Sequence, residues 1–256
     1  MMQEKHADPV QLINTPSDLA AAARHMGGQS VIAGDLEADS MFHFKERICL
    51  IQMAAADIIY IIDPLAVSDM APLKPVLENP DIRKVFHGAD YDVRSLYRDF
   101  NISIQNLFDT ELASRFLGYA ETGLNAMIKQ QFGVELEKKF QKKDWSQRPL
   151  PEEMITYAGD DVRYLIPLHE RLERELIKKG RMDWAVEEFA QIAAVRPEPS
   201  DHRPLFLRCK GAGRLDPKSL AVLEALLEMR LEKAQQKDRP PFKVIGTSAL
   251  LSLAQT

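Results

Sequence analysis

Val31-Ile32-Ala33-Gly34-Asp35-Leu36-Glu37, then Ile48-Cys49-Leu50-Ile51-Gln52-Met53, then Ile58-Ile59-Tyr60-Ile61-Ile62 is the stretch that decides the fold. These short runs are rich in β-branched and large apolar residues and are bounded by turn formers, which marks them as strands. The gap Ala54-Ala55-Ala56-Asp57 suits an antiparallel hairpin, and Asp63-Pro64 ends the third strand. Strands then alternate with helices. The spacing predicts a helix over Ala71–Glu78, a strand at Lys84–His87, and a helix over Tyr91–Phe100 with Val93, Leu96, Tyr97 and Phe100 on one face. A strand follows at Leu107–Asp109, then helices over Thr110–Leu117 and Gly123–Phe132, the latter stopped by Gly133. Pro151-Glu152-Glu153 opens a helix expected to run to Lys179, because Pro suits the first turn and acids suit its positive end. Another helix is expected over Arg181–Ala194. The pattern is α/β: an antiparallel meander joined to parallel strands, flanked by helices.

The chain has 256 residues, 45% hydrophobic and 28% charged, the mix of a globular protein. The proline-rich stretch Arg196-Pro197-Glu198-Pro199 onward reads as a linker. The expected division is residues 1–195, a linker at 196–210, and a small helical segment at 211–256. In that segment Asp216-Pro217 opens a helix with Leu220, Leu223, Leu227 and Leu231 on one stripe. Residues 196–256 carry 11 basic and 7 acidic residues, a net of +4, which leaves −9 of the overall −5 on the rest. Bulk charge therefore does not suggest a nucleic-acid binder. The acidic body is either solvated surface or, in part, a carboxylate cluster for metal ions. Cys49 and Cys209 form no C-x-x-C pair, which argues against a disulfide framework or thiolate zinc site and suits a reducing compartment. The N-terminus has no signal-peptide shape, and the apolar region 48–67 is cut by Gln52, Asp57 and Asp63, so a cytoplasmic protein without membrane spans is expected.

Three places carry carboxylates in suggestive settings. Asp35 and Glu37 are two apart on a strand, so both point to one face. Two adjacent acids repel, and they suit either an exposed strand end or a shared cation. Asp92, at a strand–helix junction after His87, suits a helix cap or a ligand. Tyr157 and Asp161 lie four apart on a helix, with Met154, Leu165 and Leu168 at similar phase, which turns the pair inward. There the choice is a Tyr–Asp hydrogen bond or a functional carboxylate.

Together, Asp35-x-Glu37, His87-x-x-x-Tyr91-Asp92 and Tyr157-x-x-x-Asp161 resemble the three motifs of the DEDD exonucleases, and the leading tyrosine of the third points to the DEDDy branch. The resemblance covers residues 10–195. Asp109-Thr110 and Asp144-Trp145-Ser146-x-Arg148-Pro149-Leu150 are similar to ribonuclease D. Gly211-x-Gly213-Arg214-Leu215-Asp216-Pro217 and Arg239-Pro240-Pro241-Phe242 look like the first half of an HRDC domain, as in a shortened family member or a truncated chain. Two positions depart from the pattern. Leu36 stands where Thr is usual, and Asp160 precedes Asp161 where a small residue is common.

The resemblance implies an RNase H-like fold and a 3′→5′ exoribonuclease that releases nucleoside 5′-monophosphates in RNA 3′-end processing. The alternatives are a DNA-directed 3′→5′ exonuclease and a noncatalytic nucleic-acid-binding module. Asp35, Glu37, Asp92 and Asp161 would hold two divalent cations, and their all-oxygen donors favour Mg2+ or Mn2+. Tyr157 would orient the attacking water. The partner implied is a single-stranded RNA 3′ end, with DNA as the other option. Met41 matches an apolar wedge between terminal bases in such exonucleases, or is a core methionine. His87 approaches the terminal nucleotide or packs at a strand end. Lys142, Lys143 and Arg148 contact phosphates or lie in a solvated loop.

Overall fold

A computed structural model describes residues 8–198 and 203–256. The chain divides into two compact units, residues 1–38 with 48–197 and residues 39–47 with 198–256.

The first unit is built on six strands: β1 (Val10–Ile13), β2 (Val31–Ala38), β3 (Ile48–Ala55), β4 (Ile58–Ile62), β5 (Arg83–Phe86) and β6 (Leu107–Asp109). They are ordered β1-β4-β3-β2-β5-β6. The β2–β3 and β3–β4 pairs are antiparallel, whereas β1 pairs with β4, β2 with β5 and β5 with β6 in parallel. The expected meander and its parallel extension are therefore both present. The β3–β4 turn is only Ala56-Asp57, with Ala56 at φ 51°. Gly34 is needed where it stands, since a Cβ there would lie 2.6 Å from the Phe86 ring of the neighbouring strand.

The helices are α1 (Pro16–Gly27), α2 (Lys74–Leu77), α3 (Asp90–Phe100), α4 (Thr110–Leu117), α5 (Leu124–Phe132), α6 (Glu152–Arg163), α7 (Leu165–Lys178) and α8 (Met182–Ala193). One face of the sheet, with Ile32, Leu36, Ile51, Met53 and Phe86, packs on residues of α1 and α3. The other face, with Ala33, Leu50, Ile59, Ile61 and Val85, packs on residues of α4 to α8.

Three expectations need correction. The long helix expected from residue 151 to 179 is two helices, broken at Tyr164. Pro167 is the cause: it has no N–H for the Arg163 carbonyl and its ring would meet that carbonyl, so it sits in the first turn of α7 instead. The helix over 71–78 is a 3-10 turn at Ala71–Leu73 followed by one turn of α-helix. β1 and α1 lie outside the predicted elements. Their signal was local: the Thr15 side chain accepts from Asp18 N, and Pro16 occupies the first turn.

In the second unit, α9 (Pro217–Gln236) and α10 (Thr247–Leu253) enclose a core of Ala212, Leu223, Leu227, Leu250 and Ala254. Asp216 caps α9 by accepting from Lys218 N and Ser219 N. Leu223 and Leu227 of the α9 stripe are thus buried within their own unit, with Leu220 packed against them. Residues 39–47 join it: His43 Nδ1 and Asp238 Oδ2 are 2.7 Å apart, and Phe44 N donates to Asp238 Oδ1 at 3.1 Å. Of the predicted linker 196–210, residues 199–202 lie outside the described residues, and Leu205–Arg208 forms a 3-10 turn whose first two N–H groups donate to Glu224. No helix among the described residues is long and apolar enough to cross a membrane.

Candidate active site

Alternation along β2 sets Asp35 and Glu37 on the sheet face covered by α6 and α7, and α6 brings Asp161 to them. Carboxylate oxygens of Asp35, Glu37 and Asp161 lie within 4.8 Å of one another. Asp92, the third residue of α3, is buried, and its charge is felt by Glu37. It caps nothing. The turn before α3 is held instead by Asp109, whose carboxylate accepts from Gly88 N at 3.0 Å and Ala89 N at 2.8 Å. The same carboxylate caps α4 through Glu111 N and Leu112 N.

The four acids have no salt-bridge partner among the described residues. Without a compensating cation, every one of them is driven toward its neutral form. Glu37 is pushed up to about 10, first by burial and then by the charges of Asp35, Asp161 and Asp92. Asp161 is pushed up to about 8 by burial, then Asp35 and Asp160. Asp35 rises to about 6 by burial, against the pull of the Leu36 backbone N–H. Asp92 is raised well above the usual range by burial and then by Asp35. Hard oxygen donors that repel one another in a low-dielectric setting fit a divalent cation, whose charge reverses each of these shifts.

Tyr157 shares a cavity of about 240 Å³ with Asp35, Glu37 and Asp161. Burial, followed by the charges of Asp161, Glu37 and Asp35, raises its hydroxyl, so the O–H is retained at neutral pH. The ring is braced by Phe140 and Trp145, at centroid distances of 5.6 and 6.1 Å. This is what the Asp144–Leu150 stretch does structurally. It buttresses Tyr157 and is clamped to the sheet by Arg148, which donates to both oxygens of Asp63 at 2.7 Å and to Cys49 O at 2.9 Å.

Arg148 therefore departs from the phosphate-binding expectation. Its remaining Nη1 donates to Trp145 O and Gln147 O, and its guanidinium is committed to the protein. His87 lines the cavity, with Nδ1 2.9 Å from Thr110 Oγ1. The Thr110 hydroxyl donates to Phe86 O, so Nδ1 is the donor of the pair, and burial keeps the ring neutral. Lys142 and Lys143 are exposed on the loop that brings Gln141 to the cavity. Met41 is 52% exposed in the second unit, so it is no core methionine. Asp160 is turned away from the cluster to Arg163 Nε at 2.9 Å, which leaves Asp161 as the acid of the third motif.

Sequence reasoning missed Gln141, Leu124 and Leu165 as cavity walls. Only tertiary packing of α5, of the loop before α6 and of the start of α7 brings them there.

Comparison with known proteins identifies the family. Residues 10–177 match the family model described as 3′-5′ exonuclease, and residues 219–256 match the HRDC domain. Ribonuclease D of Pseudomonas paraeruginosa is 33% identical over 97% of this chain and 66% of its own length. Exosome complex component 10 of Mus musculus is 32% identical over 96% of this chain, which spans only 29% of that relative. Among solved structures, the catalytic core of RRP6 from Trypanosoma brucei superposes with a TM-score of 0.89 at 31% identity, covering 97% of this chain and 70% of that one. Escherichia coli RNase D does so at 0.80 and 30%, covering 96% and 66%. On the family match over residues 10–177, the HRDC match and these relatives, the chain belongs to the 3′-5′ exonuclease family, as a ribonuclease D-like member with an HRDC segment.

Proposed function

We propose that the chain is a 3′→5′ exoribonuclease that hydrolyses the terminal phosphodiester of single-stranded RNA 3′ ends and releases nucleoside 5′-monophosphates. The observation that carries this reading is the convergence of Asp35, Glu37 and Asp161, with Asp92 beside them and Tyr157 in the same cavity, all without a basic partner among the described residues. The choice of RNA rests on relatives named ribonuclease D and on the E. coli structure, described as an exoribonuclease involved in structured RNA processing.

The four acids would bind two divalent ions, Mg2+ or Mn2+. Bound there, the ions supply an acidified water and charge stabilisation for the phosphate and the leaving 3′-oxygen. Tyr157 keeps its proton and orients the attacking water through its hydroxyl, because its raised pKa makes it a poor base. His87 and Gln141 line the cavity where the terminal nucleotide would sit, and Lys142 and Lys143 offer cations to the phosphates upstream. Met41 stands exposed for a base contact. Residues 1–195 would carry the hydrolysis and 196–256 would aid RNA capture through the tail's positive balance. A reducing, cytoplasmic setting accords with Cys49 and Cys209 forming no disulfide among the described residues.

The test is degradation of 3′-labelled RNA and DNA of one sequence, with Mn2+, Mg2+ or chelator. Stepwise release of 5′-monophosphates from RNA, abolished by chelation, is expected. Faster release from DNA would move the reading to a DNA exonuclease, and binding without release would make it a noncatalytic module.

A further inference from the structure

Gln52 is fully buried in the centre of β3, and neither its amide nitrogen nor its amide oxygen has a hydrogen-bond partner. A carboxamide left so in a core keeps the full cost of its lost hydration, so its neighbours define what it is for. In the antiparallel register Gln52 stands directly opposite Asp35. Residues so paired share a face, with Cβ atoms roughly 4.5–5.5 Å apart. On its other side Gln52 faces Ile61 of β4. The remaining acids near it on that face are diagonal, Glu37 on β2 and Asp63 just past β4. Both oxygens of Asp63 are already taken by Arg148. Asp35 has no side-chain donor among the described residues, and Gln52 carries two free donors directly across from it.

We propose that Gln52 is a positioning residue for the metal site: its amide N–H donates to the Asp35 carboxylate when divalent ions load, fixing which oxygen of Asp35 is turned to the metal. The inference rests on the metal-dependent reading above. Groups that hydrogen-bond a ligating carboxylate set its orientation, and losing one typically weakens metal binding by about 10–100-fold.

The test is Mn2+ binding to the full chain, read from the free-ion EPR signal, for wild type, Gln52→Met and Gln52→Leu, with Ile51→Val on the opposite face of β3 as a packing control. The expected result is Mn2+ affinity weakened about tenfold or more in both Gln52 variants, with metal-free Tm unchanged or higher and Ile51→Val binding like wild type. The Mn2+ concentration for half-maximal cleavage should rise by the same factor, with the rate recovering at saturating Mn2+. Wild-type Mn2+ affinity in a folded Gln52→Met or Gln52→Leu would overturn the proposal, as would failure of both variants to fold, which would make the amide a structural element. A wild-type chain that binds no Mn2+ would instead overturn the metal-dependent reading itself.

Discussion

Asp160 and Asp161 are consecutive on α6 and turned to different neighbours. Asp160 Oδ1 accepts from Arg163 Nε at 2.9 Å, while Asp161 lies within 4.8 Å of Asp35 and Glu37. The helical step of about 100° between neighbours separates a surface ion pair from the proposed metal ligand. Asp161→Asn should nearly abolish hydrolysis, and Asp35→Asn and Asp92→Asn likewise, because a neutral amide is a poor replacement for an anionic ligand of a hard cation. Asp160→Asn should keep near-normal turnover and lose at most about 1 kcal/mol of stability. Single-turnover rates on a short RNA check both arms, and equal loss in Asp160→Asn and Asp161→Asn would dissolve the distinction.

Tyr157→Phe removes only the hydroxyl, leaving the ring between Phe140 and Trp145. The fold and Mn2+ affinity should persist while the rate falls by about 10²–10⁴, the range for a positioned proton-handling group. KM should barely move. An unchanged rate would reduce Tyr157 to a core residue.

The metal-free protein should be more stable in mild acid than at pH 8. Burial, then the charges of Asp35 and Asp160, push Asp161 from the ordinary 3.8 of an aspartate up to about 8 in the folded chain. Between those values the folded state holds a proton that the unfolded chain releases. Its contribution is full below the unfolded pKa and is lost as pH rises through the folded one. Asp35, raised to about 6, and Glu37, raised to about 10, act with the same sign. In chelator, Tm should fall from pH 5 to pH 8, less steeply in Asp161→Asn, and Mn2+ should flatten the wild-type curve. A Tm that rises over this range in wild type relative to Asp161→Asn would refute the electrostatic account of the cluster.

Arg148→Met should cost stability and not substrate binding. It strands Asp63, 5% exposed, without the cation that holds its carboxyl below the usual range. Removing one partner of such a pair costs about 3 kcal/mol. Urea unfolding should show the loss, and KM for a short oligonucleotide should stay put. The reverse pattern would restore Arg148 as a phosphate ligand.

Much of this was legible in the chain itself. The period-two spacing of Asp35 and Glu37 and the four-residue spacing of Tyr157 and Asp161 place side chains by local geometry alone, so they were readable. Arg148 was not, because its partner Asp63 lies 85 residues away and a basic residue in a lysine-rich loop looks the same whether it holds a phosphate or a carboxylate. The break at Tyr164 was hidden for a different reason. Pro167 suits a first turn as well as a kink, and only the packing of α7 chooses between them. Gln52 read as a simple interruption of an apolar run, since its significance lies in the register of β3 against β2.

The clasp made by Asp109 has a kinetic consequence. Helix α3 starts without a side-chain cap of its own and depends on a residue of β6 that follows it in the chain. Asp92 therefore reaches its place once the β5–α3–β6 crossover has closed, and the full set of acids, from Asp35 on β2 to Asp161 on α6, is expected to meet only through non-local pairing. Divalent ions then have no complete set of ligands to grip at the folding barrier. Added Mn2+ should leave the refolding rate unchanged and slow unfolding alone, the signature of contacts absent from the transition state. Stopped-flow refolding and unfolding with and without Mn2+ would read this directly, and accelerated refolding would place the site's assembly before the barrier. A nuclease ordered in this way acquires its cutting power only once the rest of its sheet is in place.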